Sequence, residues 1–432
     1  MTPSAAPVSG KRPILPSGLG GEARELSLRI LFSVLIGLLV GGVGVAFHYG
    51  IDIATELRQA HPWLLWFLPL GGLTIALLYR VCGMEKDRGT NLVLAAVREH
   101  VPMPLRTAPL IFLSTILTHL VGGSAGREGA ALQLGASISS KLGHKLGLEP
   151  GAGRILTVCG MSAAFSALFG TPLTAALFAL EVVHVGVIQY AALVPALLSS
   201  LTAFLLAGWL GVAPTAYAVS GLPALSPLSL VQMAVLGGLC ALLSILFCAV
   251  THGAGHLYAK FLPDTRLRAL AGGCLVLLLS LLDGGLADQV YNGAGGNLVE
   301  AAVNGGGAGV EPWACLAKLL FTAVTLGAGF RGGEIVPAFA CGATFGCVAA
   351  PFLGLSPSFG GAVGLAATFC GVTNCPLSSV LLAYELFGGG GLPLFALAIA
   401  AAYRLSGYSG LYSEQRIVYS KSSPSQIDRK AE

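Results

Sequence analysis

The sequence has few charged residues, and their scarcity fixes the class of protein. Asp, Glu, Lys and Arg together make up 10% of the 432 residues, whereas apolar residues make up 55%. A typical soluble domain carries about 25% charged residues. This chain therefore has too little polar surface to face water on all sides, and it has no long Lys/Arg run for binding nucleic acid. The composition excludes a soluble enzyme, a nucleic-acid binder and a disordered protein, and it predicts a polytopic membrane protein.

Paired cysteines and a metal-ligand cluster are also missing. The ten Cys lie scattered through apolar runs without a Cys-x-x-Cys pair, which is typical of free buried thiols. His252 and His256 are four residues apart and share a predicted helix face, but no third ligand lies near them in the sequence. No metal and no cofactor are therefore expected. A cleavable signal peptide is not expected either, because the first apolar run is too long.

Glycine, in contrast, is abundant, and the apolar runs are short. The 60 Gly residues are about twice the average usage. A helix needs about 20 apolar residues to cross a bilayer squarely, and small residues let helices approach closely or break where they line a cavity. Many runs after residue 106 are shorter than this, so we expect tilted, partial and re-entrant helices. These runs are 107–122, 155–169, 171–188, 335–354, 359–373 and 376–388.

The distribution of basic residues predicts the orientation in the membrane. The first spans are predicted at Ser27–Gly50 and Trp63–Tyr79, joined by an outside loop over 51–62. Residues 1–29 carry four Lys/Arg, 80–106 carry five, and the end of the chain beyond Tyr412 carries four. The positive-inside rule then places both ends in the cytosol. We expect one transmembrane transport domain over 27–412 in the inner (plasma) membrane, with cytosolic tails at 1–26 and 413–432.

An internal repeat predicts the architecture. The segment 91–97 reads NLVLAAV and 297–303 reads NLVEAAV, which match at six of seven positions with an offset of 206. Two related halves, at about 27–212 and 228–412, predict an all-α fold of two inverted-topology repeats with the site at their interface. Similar offsets pair three further positions: Glu128 with Glu334, Cys159-Gly160 with Cys370-Gly371, and Glu181 with Glu385. The symmetric placement of Glu181 and Glu385 favours pairing with backbone or Arg over a role in transport.

The segment 122–136, GGSAGREGAALQLGA, indicates an anion site. Glycines that precede a small-residue helix direct backbone N–H groups into a cavity, and a helix N-terminus carries about half a positive charge. Glu128 at this point is costly in hydrocarbon and must lie in a polar cavity. Ionised, its carboxylate would occupy the N–H groups that bind an anion; protonated, it would leave them. The alternative is an ordinary salt bridge between Glu128 and Arg127.

The motif Gly126-Arg127-Glu128-Gly129 resembles the gating-glutamate motif of the CLC family of chloride channels and proton-coupled anion antiporters. Gly89-Thr90-Asn91-Leu92 falls where that family has its first anion-binding loop, usually Gly-Ser-Gly-Ile-Pro. Gly333-Glu334-Ile335-Val336-Pro337 falls where it has Gly-x-Phe-x-Pro, and Tyr412 falls where it has a central tyrosine. The resemblance covers nearly the whole transmembrane domain and implies a homodimer with one pore per subunit.

Departures from the family pattern are similar to its fluoride-exporting branch, whose members carry Asn or Met in the first loop and Gly-Gly-Glu in the third. Either Thr90 or Asn91 takes the place of the anion-coordinating serine. Val336 stands where many members of that branch carry Thr. Val182 follows Glu181 where chloride exchangers carry an inner proton-relay glutamate. Either the protein is a channel without proton coupling, or another acid carries the proton, with Glu334 as the candidate; the resemblance to the fluoride-exporting branch favours the second.

The resemblance implies fluoride export coupled to proton import; the alternative is a chloride channel or a chloride/proton exchanger. Glu128 would be the gate and proton carrier, and Glu334 would relay protons or tune selectivity. The partners would be fluoride or chloride, protons and the lipid bilayer, with no nucleic acid. An intramembrane enzyme could use paired carboxylates as acid and base, but it is disfavoured because the sequence has no metal-ligand cluster, nucleophile elbow or dyad motif. A passive scaffold is disfavoured because it does not explain buried carboxyl groups after Gly-rich loops. The anion would be bound by Thr90 or Asn91, by backbone N–H groups of Arg127, Gly129, Ala130, Ile335 and Val336, and by the Tyr412 hydroxyl.

Overall fold

The described residues fold into sixteen α-helices and three short strands. The computed structural model describes residues 19–99 and 103–431, with side chains from residue 27 onward. The first eight helices are α1 Leu19–Ala60, α2 Leu68–Val81, α3 Thr90–Glu99, α4 Thr107–Val121, α5 Glu128–Lys145, α6 Pro150–Phe169, α7 Pro172–Glu181 and α8 Leu193–Trp209. The next eight are α9 Pro227–Phe261, α10 Thr265–Asp283, α11 Gly296–Val303, α12 Ala314–Gly327, α13 Ile335–Ala349, α14 Pro357–Thr373, α15 Pro376–Phe387 and α16 Leu392–Leu405. Short 3-10 helices lie at Pro62–Phe67, Tyr190–Ala192 and Ala350–Leu353.

Only some of these helices can cross a bilayer. Seven helical segments of the described chain are long and apolar enough to span a membrane, whereas α4, α7, α12, α15 and α16 have 10–17 residues. The prediction of a polytopic membrane protein with partial helices is confirmed. The short helices leave backbone ends inside the protein, where they can bind side chains or ions.

The first helix is longer than predicted. We expected its span to end at Gly50 and residues 51–62 to form a loop, but α1 continues to Ala60. Its last turns carry polar side chains that have partners within the protein. Asp52 lies 3.0 Å from the Nε2 atom of His48 one turn earlier, and it also accepts a hydrogen bond from Arg127 at 3.3 Å. Because these side chains are paired, the polar segment remains helical.

The two sets of eight helices are matched in order. The longest helices, α1 and α9, open the two sets with 42 and 35 residues, and the third helix of each set is short, with 10 residues in α3 and 8 in α11. The expected pair of repeats is confirmed, with each half built from long, partial and broken helices.

Glycine contacts between helices correct one predicted match. Gly135 is the eighth residue of α5 and Gly342 the eighth of α13. A Cβ atom on Gly135 would overlap the carbonyl oxygen of Gly160 in α6, and one on Gly342 would overlap that of Gly364 in α14. Gly160 therefore corresponds to Gly364. The predicted match of Cys159-Gly160 with Cys370-Gly371 is wrong, because it rested on two identical letters and not on the packing.

Glu181 and Glu385 hold the two repeats together. Glu181, at the end of α7, accepts hydrogen bonds from the backbone N–H groups of Leu377 and Ser378 at 3.2 and 2.9 Å, at the start of α15. Glu385, near the end of α15, accepts from Leu173 and Thr174 at the start of α7, both at 2.8 Å. Each carboxylate thus compensates the positive end of the other helix, as the symmetric sequence placement predicts.

The C-terminal segment is not a simple tail. Strands β2 (Arg416–Tyr419) and β3 (Gln426–Lys430) form an antiparallel hairpin, and β2 also pairs in parallel with β1 (His184–Val185). This small sheet lies against the end of α7, so the otherwise helical fold closes with a strand element. It fixes the chain that follows Tyr412.

Candidate functional site

The N-termini of α5 and α13 meet at the centre of the protein. Gly126 and Gly333, which precede these helices, form an antiparallel bridge in which each N–H donates to the carbonyl of the other, at 2.7 and 2.8 Å. Each helix therefore directs its unpaired first-turn N–H groups toward the same point. The opposing positive ends form a site for negative charge.

The bridge also corrects the predicted repeat register around the carboxyl groups. Since Gly126 pairs with Gly333, the residues that precede the helices are Arg127 and Glu334, and the first helical residues are Glu128 and Ile335. Glu128 therefore corresponds to Ile335, one position away from the predicted Glu334. The offset changes from 206 to 207 here because the connection between the matched segments is one residue longer in the second repeat.

Glu128 occupies the N–H groups at this junction. Its side chain is fully buried; one oxygen accepts from the backbone N–H of Arg127 at 3.0 Å and the other from that of Val336 at 3.2 Å. A Cβ atom on Gly333 would lie 2.9 Å from the second oxygen, so the site requires glycine there. The carboxylate thus binds where a small anion would bind.

The alternative of a salt bridge between Glu128 and Arg127 is wrong. The Arg127 guanidinium points away, toward His48 Nδ1 at 2.8 Å, Asp52 at 3.3 Å and the Leu168 carbonyl at 3.3 Å. Only the backbone N–H of Arg127 contacts the carboxylate. The Glu128 carboxylate is therefore bound by two backbone N–H groups and not by a guanidinium, because that of Arg127 binds other residues.

Two cavities lie beside the residues that surround Glu128. The arginine cavity, of about 630 Å³, is lined by Arg58, Arg127 and Val336, and the tyrosine cavity, of about 230 Å³, by Thr90, Asn91, Gln133, Glu334 and Tyr412. Glu128 lines neither of them, but its two backbone partners line the arginine cavity, and Thr90 and Glu334, which lie near Gly129, line the tyrosine cavity.

The tyrosine cavity contains polar atoms that lack a partner. The Tyr412 hydroxyl and one carboxyl oxygen of Glu334 are buried without a hydrogen bond from any described residue. The Thr90 hydroxyl lies 3.4 Å from the carbonyl of Gly129, and a Cβ atom on Gly129 would lie 3.6 Å from the free Glu334 oxygen. These groups surround the space next to Glu128, and their unused hydrogen-bonding capacity suits an ion or water there.

Thr90 and Asn91 have different partners. The Asn91 side-chain oxygen accepts from the backbone N–H of Glu414 at 3.0 Å, two residues after Tyr412. Glu414 itself binds Arg98 at 2.9 Å and Lys430 at 2.8 Å, and these cations lower its pKa to about 2. Asn91 thus fixes the segment that follows Tyr412, while Thr90 adjoins Gly129, the residue after Glu128.

The remaining predicted anion contacts, Ala130, Ile335 and Val336, can reach an anion only with their backbone N–H groups. Ala130 and Ile335 are fully buried, and their side chains pack in the core. Val336 donates its N–H to Glu128 while its side chain faces the arginine cavity. These residues can bind an anion with N–H groups only.

Lys318 is a buried cation that the sequence reasoning missed. It lies in the middle of α12 and donates to the Ser124 hydroxyl at 2.9 Å and to the carbonyls of Tyr291 and Gly293 at 3.0 and 2.7 Å. It joins the loop before α5 to the loop before α11. The signal was available, since a single Lys within an apolar run is costly in a membrane and is usually functional.

The sequence is similar to a known protein family and to characterised transport proteins. The family model described as voltage gated chloride channel matches residues 71–407. A chloride/fluoride channel protein of Pseudomonas syringae pv. tomato is 35% identical over 391 residues, covering 90% of this chain and 86% of the relative. The H(+)/Cl(-) exchange transporter ClcA of Vibrio cholerae serotype O1 is 25% identical over 422 residues, covering 89% of this chain and 88% of that protein.

Solved structures agree with these relatives. The crystal structure of a CLC-type fluoride/proton antiporter matches with a TM-score of 0.87 at 33% identity, over 91% of this chain and 98% of that one. A slow cyanobacterial Cl-/H+ antiporter matches with a TM-score of 0.74 at 19% identity, over 88% and 94% of the two chains, and supports the fold alone. With the family model covering most of the chain and its gating motif at the junction of α5 and α13, this protein belongs to the voltage gated chloride channel (CLC) family.

Proposed function

We propose that this protein exports fluoride in exchange for protons. The observation that carries the proposal is the Glu128 carboxylate bound to the Arg127 and Val336 N–H groups between two cavities. The Glu128 carboxylate occupies the position of the anion and can also bind a proton. It therefore couples the movement of fluoride to that of protons. The relatives that support fluoride as the ion are the 35% identical chloride/fluoride channel protein and the 33% identical fluoride/proton antiporter.

The exchange follows from the charge of Glu128. Ionised, the carboxylate occupies the N–H groups and blocks the path. When it binds a proton it loses its charge and its preference for the positive helix ends, so a fluoride ion takes its place between the Arg127 and Val336 N–H groups. When Glu128 releases the proton on the other side and returns, the anion is displaced. One site then alternates between two negative occupants.

Glu334 provides a second proton-binding group on this path. It lies on the tyrosine-cavity side of the gate with a free carboxyl oxygen. The position that follows Glu181 is Val182, which cannot titrate. We assign to Glu334 the transfer of the proton between Glu128 and the tyrosine cavity, and to Thr90 and Tyr412 the hydroxyl donors that replace the water shell of the anion.

The location follows from the same proposal. The arginine cavity faces the outside and the tyrosine cavity the cytosol, in agreement with the basic residues near the ends of the chain. We place the protein in the inner (plasma) membrane with both termini cytosolic, and we propose from its resemblance to the family that it is a homodimer with one pathway per subunit.

Chloride transport is the second candidate, because the 25% identical relative is named a proton/chloride exchanger. A flux measurement separates the two. Vesicles containing the protein are loaded with potassium fluoride or potassium chloride and diluted into sulfate, with valinomycin added so that potassium efflux balances the charge. The external anion and the external pH are recorded together, with protein-free vesicles as the control. We expect rapid fluoride efflux with proton uptake and slow chloride efflux. Equal fluxes of the two anions without a pH change would contradict the proposal.

A further inference from the structure

Arg58 is a buried cation without a partner in the described part of the chain. Its side chain is 3% exposed, and its Nε and Nη1 atoms are buried with no hydrogen bond. None of the ion pairs found between residues 27–99 and 103–431 includes it. An unpaired guanidinium inside a membrane domain is costly, so a negatively charged group from outside the chain is the natural complement.

The guanidinium lies beside the start of α11. A Cβ atom on Gly293 would lie 3.1 Å from Arg58 Nη2. Gly295, with φ of +97°, then turns the chain into α11, and its carbonyl accepts from Leu298 and Val299 at 3.1 and 3.2 Å. The N–H groups of Gly296 and Asn297 have no partner within the helix. Arg58, Gly296 and Asn297 all line the arginine cavity.

The carboxylates of this cavity do not pair with Arg58. Asp52 is bound by His48 and Arg127. Glu56 and Asp288 also line the cavity but are not within ion-pair distance of Arg58 in the structure described. Lys318 is buried next to Gly295, and its three contacts are uncharged oxygens. Neither buried cation is therefore neutralised by an ion pair with a described carboxylate.

The repeat provides an independent argument. The third helix of each set begins at a cavity: α3 begins with Thr90 in the tyrosine cavity, and α11 begins with Gly296 in the arginine cavity. Thr90 contributes a hydroxyl, whereas Gly296 has no side chain. Arg58, in α1, lines the same cavity as Gly296 and carries side-chain donors that Gly296 lacks.

We propose that Arg58 and the N–H groups of Gly296 and Asn297 form a second binding site for a small monovalent anion, distinct from the site that Glu128 occupies. It holds a halide ion in the arginine cavity as the ion leaves the gate. The inference rests on the proposed anion path, but it concerns a separate site with its own residues.

Bromide, which scatters anomalously, locates such a site directly. Crystals of the full-length protein grown in sodium bromide should show an anomalous peak between Arg58 and Gly296, and the peak should vanish in Arg58→Gln. Arg80→Gln, which removes a half-exposed arginine of α2, is the matched control and should keep the peak. A peak at the Glu128 position alone would overturn the second site and leave the transport proposal standing.

The concentration dependence of fluoride flux tests the Arg58 site a second time. In vesicles with the protein in one orientation, Arg58→Gln should raise the half-saturating fluoride concentration on the arginine-cavity side about tenfold with an unchanged maximal rate, the size expected for losing a charged hydrogen-bond donor. Arg58→Lys should restore part of the affinity. An unchanged half-saturating concentration in a correctly folded Arg58→Gln protein would refute the proposal, even if fluoride/proton exchange were intact.

Discussion

The carboxylate of Glu128 accepts a hydrogen bond from the backbone N–H of Val336, 208 residues later in the chain and in the other repeat, at 3.2 Å. The carboxylate of one half is therefore bound by the helix end of the other half. Neither repeat alone contains all the groups that bind it, because they come together only where α5 and α13 meet.

Neutralising Glu128 should separate proton and anion movement. In Glu128→Gln the amide has the size of the carboxylic acid but cannot titrate, so proton uptake should fall to the level of protein-free vesicles. The measurement is simultaneous recording of fluoride efflux and pH. The matched control is Glu149→Gln, an exposed glutamate at the start of α6, which should transport normally. Coupled proton uptake that persists in Glu128→Gln would disprove the assignment.

Substitutions at Thr90 and Asn91 should have different effects because the two side chains have different partners. Thr90→Val keeps the shape and removes the hydroxyl, which should slow fluoride efflux about tenfold, as expected for one lost hydrogen bond of about 1.4 kcal/mol. Thr90→Ser, the control, should retain most of the rate.

Asn91→Ser should instead loosen the segment that follows Tyr412. Hydrogen exchange at residues 414–430 should become faster, since Glu414 loses the acceptor of its N–H. The fluoride-to-chloride ratio should change more in Thr90→Val than in Asn91→Ser. The reverse order would assign anion coordination to Asn91.

Glu334→Gln should lower the number of protons carried per fluoride. The amide retains a carbonyl oxygen and N–H donors for the tyrosine cavity but cannot pass a proton to Glu128. The informative quantity is the ratio of proton to fluoride flux and not either rate alone, because a change in packing alone would slow both together. A ratio equal to that of the natural protein would remove Glu334 from the proton path.

Adding a methyl group between α13 and α14 should destabilise the protein. In Gly342→Ala the new Cβ would overlap the Gly364 carbonyl, and such overpacking costs about 1–3 kcal/mol. Thermal unfolding in detergent should show a lower midpoint. Gly153→Ala in α6, where a Cβ meets no atom within 4 Å, should be neutral or slightly stabilising. Equal midpoints for the two variants would contradict the packing argument.

The ion pairs of Glu414 predict a pH dependence for the C-terminal hairpin. Arg98 and Lys430 lower the pKa of Glu414 from 4.5 to about 2. A lowered pKa means that the stabilisation is fully present above about pH 4.5 and is lost as the pH falls toward about 2. Protection against hydrogen exchange at residues 416–430, taken relative to the intrinsic exchange rate at each pH, should therefore fall on acidification in the natural protein. Glu414→Gln should show low protection at neutral pH and little further change; high protection in that variant would contradict the role of the ion pairs.

The sequence predicts the architecture well but the register poorly. Low charge, abundant glycine and the NLVxAAV repeat predict two helical halves with broken helices, and the structure has them. The predicted repeat match of Glu128 with Glu334 is wrong by one residue, and that of Gly160 with Gly371 is wrong by seven. Identical residue types in the two halves do not show which backbone segments contact each other. Backbone contacts such as the Gly126–Gly333 bridge set the register, and these form only after folding.

The sequence indicates the surroundings of Glu128 but not the burial of Arg58. A Gly-rich turn before a small-residue helix predicts backbone N–H groups around Glu128. Arg58 lies in the segment 51–62, which is predicted as an outside loop because a polar segment after an apolar run normally marks the end of a span. Its burial depends on the loops around Gly122 and Gly293, which are distant in the chain and close to its side chain in space. Sequence spacing contains no measure of that proximity.

The reciprocal contacts of Glu181 and Glu385 have a consequence for the divergence of the duplicated halves. A mutation of either glutamate leaves its own helix intact and exposes an uncompensated helix end in the other half. Natural selection therefore acts on the pair and not on each copy separately. Two copies linked in this way are free to drift apart on their lipid-facing surfaces, while the residues by which each serves the other remain recognisably duplicated.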